Sequence, residues 1–167
     1  MDLIFPTTLD RESYESHAQT GTDIICEASK LFQSFTQLQP RILKCRHADF
    51  LTAFYHCGLV SISRLFVDPA WLPFDRPLMN ETLIKNCTVA ALECIEKVSK
   101  KAELEALFLL PLLLVVSLET REQPQRHRIA KIFETIQRKG VAVASTYVSD
   151  ISFLWEVFKA SEESSSH

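Results

Sequence analysis

Glycine is scarce in this chain, 3 in 167 residues, and the scarcity removes whole classes of chemistry. A phosphate-cradling loop needs clustered glycines so that backbone amides can approach the anion, and no such cluster is present. No G-x-S-x-G elbow presents a serine nucleophile. No paired-carboxylate motif and no Asp-rich metal–diphosphate motif is visible. Cysteines number 5, at 26, 45, 57, 87 and 94. An odd count without a C-x-x-C pair argues against a disulfide framework and against the paired spacing of structural zinc sites. Positive charge is also short. With 18 Lys and Arg against 21 Asp and Glu, the net charge is −3, a balance that speaks against direct nucleic-acid binding. The one basic run, residues 121–139, reads best as a solvated helix face. The longest apolar run, residues 106–118 (ALFLLPLLLVVSL), falls below the ~20 residues of a membrane span, so a buried central helix is expected and no membrane partner. The opening MDLIFPTTLDRE has neither a basic n-region nor a long apolar core. Reduced thiols and an intracellular, cytoplasmic location are the corresponding expectation.

What is present is helical pattern. The composition is 47% hydrophobic and 23% charged, rich in good helix formers. Asp10 or Thr8 suits the cap of a short helix through about Ala18, and a second segment, Gly21 to Leu38, places Ile24, Ile25, Ala28, Leu31, Phe32 and Phe35 at helical spacing, with an end expected before Pro40. Residues 48–67 are apolar almost all round, the mark of a helix buried on most sides. Three prolines in residues 68–77 rule out a helix interior there. Residues 78–100 carry a stripe of Ile84, Cys87, Ala91, Cys94 and Val98, whose small members admit a close neighbour. Residues 103–118 form the apolar helix, with a kink expected at Pro111. Residues 126–139 present Ile129, Ile132, Phe133 and Ile136 on one face, and Gly140 suits a left-handed cap. Residues 142–158 repeat the pattern. The expectation is an all-α fold: a single compact helical domain over residues 1–160, of roughly six to eight helices, with a disordered tail at 161–167.

The candidate chemistry is sparse. Thr52, His56 and Ser63 are separated by four and seven residues, so they share one stripe of a mostly buried helix. Such a stripe is a solvent-facing strip, a set of satisfied core groups, or the polar wall of a pocket in which His56 hydrogen-bonds a substrate carbonyl. Tyr55, beside it, and Thr52 are its candidate catalytic companions. Ser63, Trp71, Tyr147 and Trp155 are candidate substrate-binding residues; the aromatics read otherwise as core side chains. Cys45, His47, His56 and Cys57 form a conceivable zinc set, but adjacent His56 and Cys57 project about 100° apart on a helix. No metal and no cofactor are expected.

Two segments taken together resemble a known family. Pro111 inside an apolar helix is followed by Glu119, then Arg126 or Arg128, an amphipathic helix to Gly140, and a last helix carrying Trp155. Upstream stand Tyr55, His56 and Arg64 in FYHCGLVSISRLF, then Cys87, Ala90 and Ala91 in LIKNCTVAAL. Over residues 49–158 this pattern resembles the helical C-terminal regulatory domain of fungal zinc-cluster transcription factors. The resemblance implies an all-α fold and a domain that receives signals, sometimes small molecules. It also implies a departure, because the family's DNA-binding unit takes six closely spaced cysteines and this chain lacks that cluster.

A ligand-receiving helical container without a DNA reader suggests three functions. The leading expectation is a cofactor-free cyclase or isomerase of fungal secondary metabolism, such as a Diels–Alder-type pericyclase, acting on an apolar terpenoid or polyketide. Such chemistry needs a shaped apolar pocket and one hydrogen-bond donor rather than a nucleophile. The alternative is a non-DNA-binding transcriptional regulator that pairs with a full-length zinc-cluster factor, for which a nuclear location is expected. The third is a passive carrier of an apolar small molecule. A homodimer or a helical protein partner is compatible with each. An enzyme or a carrier predicts a closed cavity, whereas a regulator predicts exposed apolar surface.

Overall fold

The structure, a computed structural model, describes residues 8–72 and 76–164. These residues form six α-helices and two short 3-10 turns: α1 (Thr8–Ile42), α2 (Ala48–Leu65), a turn at Pro69–Trp71, α3 (Glu81–Lys101), a second turn at Leu104–Phe108, α4 (Leu109–Glu119), α5 (Gln123–Arg138) and α6 (Ala144–Ser164). The fold is all-α, as the periodicity implies. No helix among the described residues is long and apolar enough to cross a membrane.

The helix ends follow from local chemistry. Asn80 caps α3, its side chain accepting the Leu83 N–H at 2.8 Å. Pro124 sits in the first turn of α5, where its missing N–H has no helical acceptor to lose. Gly140 follows α5 with φ of +89°, a left-handed conformation that a side chain would disfavour. The carbonyls that end α3 are capped from a distance: Lys139 Nζ donates to Ser99 O at 2.9 Å and also to Lys100 O and Ala102 O. A cation placed there also complements the negative end of the helix dipole.

Two prolines behave differently from the sequence expectation. Pro111 does not kink a long helix. It occupies the first turn of α4, and the bend expected of it is taken up by the preceding 3-10 turn. Pro40 lies inside the last turn of α1, which runs on to Ile42. There the proline removes one backbone hydrogen bond near a frayed end, a smaller loss than in mid-helix. Gly21 likewise does not divide α1. A single glycine costs about 1 kcal/mol relative to alanine, less than a helix break with its unpaired groups. Residues 161–164, assigned from polarity to the tail, continue α6, and residues 165–167 lie outside the described residues, as do residues 1–7.

α4 is the hub. It is apolar on nearly every side, with Leu109, Leu110, Leu112, Leu113 and Val116 buried, and it packs against α2, α3, α5 and α6. Around it lies the larger part of the core, which takes in Ile95, Ile129, Phe133, Ile136 and Ile151. A smaller cluster joins α1, α2 and the start of α3 through Tyr55, Leu59, Val60, Met79, Ile84 and Cys87. Each fully buried Leu or Ile side chain contributes about 1.5–3 kcal/mol through the water it no longer orders.

Candidate functional site

α2 carries the polar stripe of Thr52, His56 and Ser63. Tyr55 and Leu59 are buried on one flank of that stripe, Ala53, Cys57 and Val60 on the other. The stripe therefore turns into the protein and is not a solvent-facing strip. α2 packs most extensively on α3, whose Cys87, Ala91 and Cys94 are all buried. Small side chains there let the two helices approach closely.

Ser63 is 1% exposed, and its Oγ accepts the Met79 N–H at 2.9 Å. That bond fastens the end of the interhelical loop to α2, so Ser63 serves the fold. His56 is half-buried. Its Nδ1 is buried without a hydrogen-bond partner, and burial pushes its pKa below the ordinary histidine value. The ring is thus a neutral imidazole near pH 7, and its edge meets Tyr55 at 5.1 Å between centroids. Tyr55 is buried and stacks on Phe35 of α1, 6.2 Å and 13° away. Burial, with a smaller contribution from Cys87, raises its phenol pKa, so it stays protonated. Thr52 lies half-buried one turn before His56.

Cys57, next to His56 in sequence, points elsewhere. Its Sγ donates to Leu112 O of α4 at 3.7 Å, and burial pushes its pKa up to about 12. A thiol so protonated is a poor nucleophile. Cys45 and His47 are exposed between α1 and α2 while Cys57 is buried against α4, and among the described residues no group of three or more His, Cys, Asp or Glu is placed to hold a metal ion.

The candidate aromatic residues are distributed over the molecule. Trp71 meets Phe66 edge-to-face at 5.2 Å in the turn after α2. Trp155 of α6 donates its Nε1–H to Ser117 O of α4 at 3.0 Å and receives the Arg126 guanidinium at 5.3 Å from its ring centre. Tyr147 packs half-buried against the main core. The structure brings His56 together with Tyr55, and ties Trp155 and Ser63 into contacts of their own. A cleft of about 400 Å³ opens between α3 and α5. Its walls are Glu96, Lys100, Arg128, Lys131 and Arg138 among others, and none of the stripe or aromatic candidates lines it. Those charged walls suit an apolar substrate poorly.

Two features have no counterpart among the candidate site residues. Arg64 forks twice: its Nε and Nη2 reach Glu119 at 2.9 and 2.7 Å, and its Nη1 and Nη2 reach Glu81 at 2.9 and 3.0 Å. One guanidinium thereby joins the end of α2, the start of α3 and the end of α4. The second feature lies near it in sequence. Arg76 Nη1 donates to Phe66 O at 2.9 Å, and with the Ser63–Met79 bond this ties residues 76 and 79 to the end of α2. Around that point in the described chain Leu65, Val67, Leu72 and Leu78 form an apolar collar, 68, 51, 64 and 44% exposed. The sequence signal for this apolar collar was available: leucines and a valine within and around a proline-rich segment that no helix could bury. No protein-family model, curated protein or solved structure matches the chain.

Proposed function

We propose that this chain works by docking a protein partner, in the manner of a non-DNA-binding regulator, and that the collar at the end of α2 is the docking surface. The observation that carries the reading is the collar itself. Four large apolar side chains, Leu65, Val67, Leu72 and Leu78, stand exposed close in sequence to Ser63, Phe66 and Arg76, whose contacts tie Met79 and Trp71 to this end of α2. Exposed large apolar side chains gathered in this way support an interaction site. Each such side chain that a partner buries contributes about 1.5–3 kcal/mol, set against an association cost of about 4–15 kcal/mol. The partner class proposed is the amphipathic helix of a zinc-cluster factor's regulatory domain. That choice follows the likeness carried by Pro111, Glu119, Arg126 or Arg128, and Trp155.

The test is a titration of a purified zinc-cluster regulatory domain from the source organism against wild type, Leu65→Asp and Leu72→Asp, read by calorimetry. Saturable binding that falls at least 10-fold in both variants supports the proposal. Equal binding by all three, or none by wild type, removes it.

A second reading keeps the cofactor-free cyclase or isomerase, and one observation favours it: the buried, unpartnered Nδ1 of His56. A neutral imidazole carries one donor and one acceptor nitrogen, so the unpartnered Nδ1 is a hydrogen-bonding group left open for a substrate. On this reading Tyr55 and Thr52 orient the substrate beside it. Incubation of the protein with apolar extracts of its source, against His56→Ala, decides this. Turnover that survives the substitution removes the role of His56, and no turnover at all removes the enzyme.

A further inference from the structure

The cleft between α3 and α5 serves neither the collar nor the His56 reading. Polar contacts join the two helices in the same order along each: Lys85 to Glu122 at 2.6 Å, Arg128 to Glu96 at 2.8 Å, and Lys139 to the carbonyls that end α3. The cleft opens between the second contact and the third, and its volume of about 400 Å³ is that of a small-molecule site. Its charges do not balance. Glu96 is one carboxylate shared by two cations, Lys100 at 3.4 Å and Arg128 at 2.8 Å. Along α5, Lys131 and Arg138 stand beside the single carboxylate of Glu134. Among the described residues Lys131 has no ion pair, and Arg138 bonds only to neutral oxygens, the Glu134 carbonyl and the Thr135 hydroxyl. With His127 counted as neutral, the lining carries two positive charges in excess within a chain of net charge −3, so the remainder stands at −5.

We propose that this cleft binds a small polar molecule carrying a phosphate monoester. Such a group bears a charge of about −1.5 to −2 at pH 7, which matches the excess of the walls, and a concave basic site concentrates anions from solution. Lys131 and Arg138, seven residues apart, share one face of α5 and are the cations free to take the phosphate. The Arg138 guanidinium offers it a planar fork of donors. The negative end of the α3 dipole would oppose an anion, but Lys139 already occupies those carbonyls. The cleft is larger than a phosphate group, which leaves room for an organic part. Of the lining side chains Ile132 alone is apolar, so that part is polar, as in a sugar. The basic run at residues 121–139 thus supplies one wall of a cleft.

Calorimetry and amide-shift titration by NMR at low ionic strength test this on the full chain, with inorganic phosphate and glucose 6-phosphate as probes and glucose as the neutral control. Both phosphates are expected to saturate the protein, with the largest shifts in residues 96–100 and 127–138, and glucose to leave the spectrum unchanged. Lys131→Glu and Arg138→Glu, both at exposed positions where helicity by circular dichroism should match wild type, are each expected to weaken glucose 6-phosphate by about 10-fold or more, because a charge-assisted bond gives way to a like charge. Glu134→Gln removes a competing carboxylate and is expected to tighten binding by about 2- to 10-fold. Lys159→Glu makes the same change in net charge outside the cleft and should stay within about 2-fold of wild type. Leu65→Asp at the collar should leave phosphate binding intact, so this site and the proposed docking surface fail independently. Four results each overturn the proposal: no saturation of wild type by either phosphate, shifts confined to other helices, equal losses in Lys131→Glu and Lys159→Glu, or a phosphoserine peptide bound over about 10-fold tighter than glucose 6-phosphate, which would make the ligand a protein.

Discussion

Replacing Ser63 by alanine separates an anchoring role from a substrate-binding one. Ser63 and Met79 are 1 and 7% exposed, and the Met79 N–H has the Ser63 Oγ as its acceptor at 2.9 Å. Alanine fits the same space and is the better helix former, so neither a clash nor a loss of helix propensity enters. What remains is a backbone donor buried without a partner, which costs about 1–3 kcal/mol. For a domain of this size each kcal/mol moves the midpoint by about 2–4 °C, so the expected fall in Tm is about 2–12 °C. Thermal and urea unfolding measure the loss. Hydrogen exchange locates it, because the Met79 amide should lose protection while amides in the middle of α4 change only as global stability changes. A variant with wild-type Tm and a still-protected Met79 amide would refute the assignment of Ser63 as the anchor of the collar.

Three further outcomes are expected. Arg64→Met should destabilise the protein by about 1–3 kcal/mol, because Glu119 would be left largely buried without its fork; wild-type urea stability in this variant would show the double fork to be idle. His56 titrates below its unfolded value of about 6.5, so protonation favours the unfolded chain. Stability should therefore be unaffected by this group above that pH and fall as pH drops through 6.5 toward the lower folded pKa. His56→Phe should flatten that part of the pH profile, and an unchanged acid limb in the variant would count against it. Lys139→Met removes the cation that caps α3 from the end of α5, with an expected loss of about 1–2 kcal/mol and the largest gain in exchange at the last turn of α3; equal exchange there in both proteins would deny the cap.

The helices were legible because their signals are local. Gly140 declared a left-handed stop, and the stripe of Ile129, Ile132, Phe133 and Ile136 declared the buried face of α5; both follow from chain geometry alone. Pro111 and Pro40 misled because a proline's effect depends on its place in the helix, and that place is set by which backbone amides already lack acceptors. The polar stripe on α2 was recognised as a unit, but its members part company in three dimensions. Ser63 meets an amide 16 residues away, while His56 keeps a buried Nδ1 without a hydrogen-bond partner and a pKa lowered by burial. The Arg64 fork draws on acids 17 and 55 residues distant, and no periodicity within α2 encodes such a meeting. The collar was visible as composition and invisible as surface, since only the folded loop decides which leucines reach solvent.

The five thiols divide the molecule into regions that a chemist could time. Cys26 and Cys45 are exposed, whereas Cys57, Cys87 and Cys94 are buried with ionisation suppressed by that burial. A thiol-reactive probe should modify two sites on mixing and three only as fast as the protein opens to admit it. Cys87 belongs to the cluster beneath α1, and Cys57 and Cys94 belong to the core around α4. The order in which mass increments arrive would then report whether α1 peels away before the hub gives way. Without any engineered cysteine, the chain carries a clock for each half of its interior.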